Sequence, residues 1–403
     1  MNVSVVIVGH IDHGKSTLIG RLLYDSETLP EGKMAEIQKV IEEYRKRFEF
    51  AYFLDSYEEE LKEERTIDTT RVLFKGKNYY TVVDVPGHRE FIKNMLSGAA
   101  HAQVGILVVS APNGVEEQTR RHTFLLHMLG VRRIVVAVNK MDLMDYREDA
   151  FQKTAADTQK LLSAFGYDAV GYVPVSALEG DNVFKPSERM PWYRGATLIQ
   201  VLDSVEPEQE VAKPLRFTVQ FNYEVNSSTV TVGRVESGML RKGDQLLFQP
   251  SGLKTTVEGM KAPSGEPEVS AAGDSVGLIL GQQPNRGDVG GHPEAGPIPA
   301  TRFLGEVVLL EGTLNKGDRL QLKCATKRAD CQVEEIRERI SSETGQVLGH
   351  NPPAIGENDA ATVVFDTEPL VAEKFSDIPE LGRFILVKDG RNVGAGVILE
   401  TKV

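Results

Sequence analysis

Cysteine and tryptophan are almost missing from this chain, at two and one among 403 residues. Cys324 and Cys331 are too few to staple so long a chain, so no disulfide framework is expected and a reducing, cytoplasmic setting is. Six residues separate them, no C-x-x-C pair occurs, and the spacing fits no common zinc site. No apolar run approaches the roughly 20 residues that cross a bilayer, so no membrane association is expected. The N-terminal MNVSVVIVG has neither a basic leader region nor a cleavage site and reads as a buried strand instead of a signal peptide. Positive charge is also short. With 46 Lys and Arg against 58 Asp and Glu the net charge is −12, which predicts no general nucleic-acid-binding patch. Local basic clusters occur at Arg45 to Arg47, Arg120 with Arg121, and Arg132 with Arg133, and such clusters are mostly solvated surface.

What is present is ordinary globular composition, enough for two or three domains. In the first half, apolar runs at 3–8, 79–83, 105–109, 134–138 and 172–175 alternate with helix-period segments such as 118–129 and 150–165. That alternation predicts an α/β domain with a mainly parallel, doubly wound sheet. Apolar residues at helical spacing over 31–50 predict an additional amphipathic helix. At VEPEQEVAKP the texture changes, and short alternating runs broken by SG, KGD and PSG turns take over. These predict two small all-β barrels. The expected division is a nucleotide-binding domain over 1–205, a linker over 206–213, and barrels over 214–292 and 293–403.

The stretch GHIDHGKST follows the first apolar run and precedes a leucine-bearing helical segment. Its two histidines raise a metal-site reading, but Gly9-His10-Ile11-Asp12-His13-Gly14-Lys15-Ser16 fits G-x-x-x-x-G-K-[ST], followed by Thr17. Glycines there let successive amides turn toward phosphate oxygens, and the next helix presents the positive end of its dipole. Lys15 is expected to reach the β- and γ-phosphates and Ser16 to place its hydroxyl on Mg²⁺. Metal binding by His10 and His13 would compete with that loop geometry. His122 and His127, five apart on a helix, do not share a face and are read as structural or surface residues.

Three further pieces end apolar runs, where open α/β sheets bind ligands. In DVPGH, Asp84 is placed to hold Mg²⁺ through water and Gly87 to bring its amide close to the γ-phosphate. In NKMD, comprising Asn139, Lys140 and Asp142 around Met141, the Asp142 carboxylate can accept from both the ring N–H and the exocyclic amine of guanine. Adenine would leave that carboxylate unpaired, so the site discriminates. Ser176, Ala177 and Leu178 supply a backbone donor for the guanine oxygen. Together these predict a GTP/GDP site with Mg²⁺.

With GHIDHGKST, DVPGH, NKMD and SAL in one chain, the sequence resembles the translation-factor GTPases, the elongation factor Tu/1-alpha superfamily, along essentially its whole length. The resemblance implies that His88 orients the attacking water and that Thr66, in LDSYEEELKEERTID, caps the magnesium, with Lys15 balancing charge in the transition state. Elongation factor 1-alpha is resembled by GHIDHGKSTLIGRLLYDS, PGHREFIKNM, LGRF and VGAGVI. The GTPase subunit of ATP sulfurylase (sulfate adenylyltransferase) is resembled by TRRHTFLLHMLG, VSALEGDNV with SERMPWY, RGDV then GHPE, and TIDTT. The reading favoured here is the sulfurylase-type subunit, with the small catalytic subunit of ATP sulfurylase as partner. In that reading the partner carries the adenylyl-transfer chemistry, and no adenylyl-sulfate kinase domain is expected after the second barrel. One alternative is a translation factor delivering aminoacyl-tRNA to the ribosome. Another, of a different class, is a regulatory GTP-binding module that does not hydrolyse. One departure from the family pattern stands out: Arg65 occupies the place of an isoleucine that, with the residue equivalent to Ile11, gates the catalytic histidine.

Overall fold

The computed structural model describes residues 2–28, 71–84, 102–128, 130–205, 213–225, 228–262, 265–342 and 344–402. The helix expected over 31–50, and Arg65, Thr66, Gly87 and His88, lie outside them. Two compact units divide the chain, 1–208 with 343–345 and 209–342 with 346–403.

In the first unit the order is β1 (Asn2–Gly9), α1 (Lys15–Asp25), β2 (Arg71–Lys75), β3 (Tyr79–Asp84), β4 (Val104–Ser110), α2 (Glu117–Met128), β5 (Arg133–Asn139), α3 (Glu148–Ala164), β6 (Gly171–Pro174) and α4 (Leu198–Asp203). The strands form one sheet in the order β2-β3-β1-β4-β5-β6. All neighbours are parallel except β2, which runs antiparallel at the edge. Both faces are covered, which explains why these strands are continuous apolar runs and do not alternate. Val5, Ile7, Ile106, Val108 and Ala137 face a core completed by Leu18, Ile19, Leu22 and Leu23 of α1 and by Leu198 and Leu202 of α4. Val6, Leu107, Val109 and Val136 are equally buried on the other side, where α2 packs on β1 and β4, and α3 on β5. Each such aliphatic side chain contributes about 1.5–3 kcal/mol when fully buried. Strand β1 lies between β3 and β4, the point at which the winding reverses. A crevice therefore opens at its carboxyl end.

The second unit contains β7 (Arg216–Val225), β8 (Ser228–Ser237), β9 (Met239–Arg241), β10 (Gln245–Gln249), β11 (Leu253–Lys261), β12 (Val269–Ala271), β13 (Ser275–Leu280) and β14 (Val289–Gly291). Six of these close into a barrel, β10-β11-β13-β8-β7-β14, while β9 and β12 form a separate ribbon. Then follow β15 (Pro299–Leu309), β16 (Leu314–Asn315), β17 (Arg319–Cys324), β18 (Lys327–Ile340), β19 (Val347–His350), β20 (Ala354–Ile355), β21 (Ala360–Val371), β22 (Arg383–Lys388) and β23 (Arg391–Glu400). Here the sheet β17-β22-β23-β15-β21-β18 closes through the β17–β18 pairing, and β19 extends it. Period-two alternation drives both closures: Phe217, Val219, Leu246 and Phe248 fill the first barrel, and Phe303, Val307, Phe365 and Phe384 the second. Cys324 and Cys331 are buried in the second core, where burial pushes both thiols up to about 12. That is the inert behaviour of structural cysteines.

The barrels are joined by Val289 packing with Val371, Ile378 and Leu381 and by Arg216, whose Nε donates to Glu373 Oε1 at 2.7 Å. Among the described residues no helix is long and apolar enough to cross a membrane.

Candidate guanine-nucleotide site

The expected ligand-binding pieces gather at the carboxyl edge of the first unit's sheet. β1 ends at Gly9, a short 3-10 turn covers Ile11–His13, and α1 starts at Lys15. Two glycines make this reversal feasible. A Cβ on Gly9 would sit 2.3 Å from Val108 O, and Gly14 has φ +86° with a virtual Cβ 2.6 Å from Asn139 Nδ2. Neither position tolerates a side chain. Lys15 Nζ donates to the carbonyls of Gly9 and His10, each at 2.8 Å, so the ammonium is held over the mouth of the loop. Ser16 and Thr17 occupy the first turn of α1, where amides without intrahelical partners and the helix dipole favour an anion. Asp84 ends β3 in register with Ile7.

Asn139, 2% exposed, binds these pieces together. Its Nδ2 donates to His13 O at 2.8 Å, and its Oδ1 accepts from Ala177 N at 3.0 Å. One side chain thus locks the phosphate loop to the loop after β6. Next in the chain, Lys140 takes φ +63° and Met141 is buried. That turn places Asp142 beside Ser176, whose hydroxyl donates to Asp142 Oδ1 at 2.7 Å. The same hydroxyl accepts from Glu179 N at 3.2 Å. A half-buried carboxylate oriented by one hydroxyl, next to loop amides, suits a ligand edge that offers two N–H donors and one carbonyl.

His13 is fully buried. Its Nδ1 faces Val108 O at 3.1 Å and its Nε2 faces Glu116 Oε2 at 2.8 Å. Burial pushes the ring's pKa down, against the upward pull of the carbonyl and the carboxylate. His10 Nδ1 stands 3.4 Å from the same oxygen, so the three ligand atoms fall within 4.8 Å of one another. Two ligands of a tetrahedral zinc ion stand ~3.3 Å apart, and 2.8 Å is instead a hydrogen-bond length. A hydrogen bond accounts for the contact. Ile11, within the loop, is 73% exposed.

Residues 1–208 match the family model described as elongation factor Tu GTP binding domain, 228–289 that of elongation factor Tu domain 2, and 302–399 the GTP-eEF1A C-terminal domain-like model. Elongation factor 1-alpha of Archaeoglobus fulgidus is 39% identical over 412 residues, covering 99% of this chain and 97% of that protein. The chain belongs to the elongation factor Tu/1-alpha family. Elongation factor 1-alpha of Thermoplasma acidophilum is likewise 39% identical, over 99% of this chain and 98% of its own. A solved structure of sup35 complexed with GMPPNP is 24% identical, covers 100% of this chain and 94% of that one, and has a TM-score of 0.47.

As a member of the elongation factor Tu/1-alpha family the chain is a GTPase. Of the residues singled out in its sequence, the structure brings together Gly9 to Thr17, Asn139, Lys140, Asp142 and Ser176 to Leu178. Thr66, Gly87 and His88 lie outside the described residues. Sequence reasoning missed Glu116 and Arg21. Glu116 meets His13 across 103 positions, and Arg21 meets Leu178 across 157. No local pattern marks contacts at such separations.

Proposed function

We propose that this GTPase is an elongation factor 1-alpha-like translation factor that carries aminoacyl-tRNA to the ribosome in its GTP form. The supporting observation is the 39% identity to elongation factor 1-alpha over nearly the full length of both chains, together with two closed barrels after the nucleotide-binding fold. The division at 1–205, 206–213, 214–292 and 293–403 is part of this reading. The phosphate loop grips GTP through its amides and Lys15, while Asn139, Lys140, Asp142 and the loop at 176–178 hold the base. Hydrolysis is in-line attack on the γ-phosphate by water that His88 orients, with Lys15 offsetting the charge that develops. The donor set of Ser16, Thr66 and Asp84 (through water) is all oxygen and would hold Mg²⁺, which would supply neutralisation of the charge on the phosphates. Arg65 stands where the family pattern has its gating isoleucine; altered turnover in Arg65→Ile would make it part of that gate, and unchanged turnover would not.

The test is protection of an aminoacyl ester. GTP-loaded protein should slow spontaneous deacylation of aminoacyl-tRNA, and GDP-loaded protein should not. No protection in either state would sink the translational role. A second reading, the GTPase subunit of sulfate adenylyltransferase, draws on TRRHTFLLHMLG and VSALEGDNV with SERMPWY. The relatives named above favour the first. Nucleotide-dependent capture of a small ATP sulfurylase subunit from native cytoplasm would restore the second.

A further inference from the structure

Arg21 lies on α1, the helix that opens with Lys15 and Ser16, and its side chain crosses to the loop after β6. Nε donates to Ala177 O at 3.1 Å and Nη2 to Leu178 O at 2.5 Å. The Arg21 side chain is 13% exposed, and Asp25, one turn on, holds the guanidinium's other edge at 3.3 Å. The loop is shaped to admit it: Gly180 has φ +85°, and a Cβ there would meet Arg21 Nη1 at 3.1 Å. Two successive peptide planes are therefore fixed by one rigid, forked cation.

Peptide geometry gives this grip a consequence. In a trans peptide the C=O and the following N–H point in opposite directions. Holding Ala177 O toward α1 turns the Leu178 N–H the other way, away from Arg21. Holding Leu178 O fixes the plane that carries Glu179 N–H, which donates to Ser176 Oγ at 3.2 Å, and that hydroxyl in turn donates to Asp142 Oδ1 at 2.7 Å. We propose that Arg21 is a positioning residue for base recognition: it aims the backbone donor of the 176–178 loop at the 6-oxo group of guanine. It touches no part of the nucleotide. The helix that starts at the phosphate end thereby sets the geometry at the base end.

This inference rests on the guanine reading of the site, and the experiment separates the two. Affinities of wild type, Arg21→Ala and Arg21→Lys are compared for GDP, for IDP, which keeps the 6-oxo group but lacks the 2-amino group, and for 2-aminopurine riboside diphosphate, which lacks the 6-oxo group. Arg21→Ala should weaken GDP and IDP in parallel by about tenfold, the value of one misdirected hydrogen bond. The 2-aminopurine nucleotide should change by less than about threefold on the same scale. Lysine offers a point donor without a fork, so Arg21→Lys should fall between the two and carries the same comparison if the alanine variant fails to fold. Equal loss for all three nucleotides would reduce Arg21 to a structural role and overturn the proposal. If wild type binds the 2-aminopurine nucleotide as tightly as GDP, no 6-oxo recognition exists and the guanine reading of the loop itself fails.

Discussion

His13 Nε2 and Glu116 Oε2 stand 2.8 Å apart although 103 positions separate the residues. Val108 O and the Glu116 carboxylate both accept, so the charged ring donates to each, from Nδ1 and from Nε2, and the neutral ring to one of them. This joins the phosphate loop to the segment leading into α2, and its strength depends on pH.

Burial sets the direction of that dependence, because it lowers the His13 pKa below the ordinary value of 6.5. A group lowered on folding binds its proton more readily when unfolded. Its contribution is complete above the unfolded value and is lost as pH falls toward the lowered one. Thermal stability should therefore drop as pH is taken down through 6.5, and His13→Asn should flatten that limb. Glu116→Gln removes a carboxylate that holds the ring's pKa up, so the ring titration followed by NMR should move lower still. An upward move would contradict the assignment.

Asn139 carries two contacts that nothing else replaces. In Asn139→Ala, His13 O and Ala177 N each lose a buried partner, at about 1–3 kcal/mol apiece. GDP and GTP affinity should fall together, by about a hundredfold or more on that estimate, with a lower melting temperature. Equilibrium titration with a fluorescent nucleotide measures it. Unchanged affinity would remove Asn139 from the site.

Ser176 orients the Asp142 carboxylate without standing in for it. Ser176→Ala should leave the fold intact and cut the preference for GDP over IDP by about tenfold, since hydrogen bonds to charged groups contribute about 1.5–3 kcal/mol. A preference that stays constant would show that Asp142 is held by other means.

Arg216 provides a control far in sequence from the nucleotide loops. It is 6% exposed, and besides Glu373 it donates to Ala295 O and Leu215 O, each at 2.8 Å. Arg216→Ala should destabilise the barrel pair by about 2–4 kcal/mol, somewhat under the usual cost of breaking a buried pair because Glu373 keeps 22% of its side chain in water. Nucleotide affinity should not change. Denaturant unfolding of the whole chain, with GDP binding measured alongside, checks both halves.

The site was legible in sequence where its chemistry is local. A glycine-bounded loop between a β-branched run and a helix, and acidic or amide residues ending apolar runs, need only neighbouring residues to be recognised. Five of the six described strands between 2 and 175 lie within one or two residues of their predicted spans, because a sheet covered on both faces demands unbroken apolar runs. Arg71–Lys75 was not foreseen. It is a five-residue edge strand whose partner is set by the antiparallel pairing with β3, so its identity comes from register and not from composition. In the sequence Arg21 is one polar residue in a leucine-bearing helical segment. Only the folded chain brings it to the carbonyls of Ala177 and Leu178.

We propose that the loops after β1, β5 and β6 together select guanine. Calorimetric titration of the nucleotide-free protein with GDP and with ADP tests it most directly. GDP should bind tighter than ADP by about 10⁴-fold or more, the discrimination available to a site whose buried polar groups are left unpaired by the wrong base. Lys15→Ala should weaken GDP. Comparable affinity for the two nucleotides, or binding of neither, would contradict it.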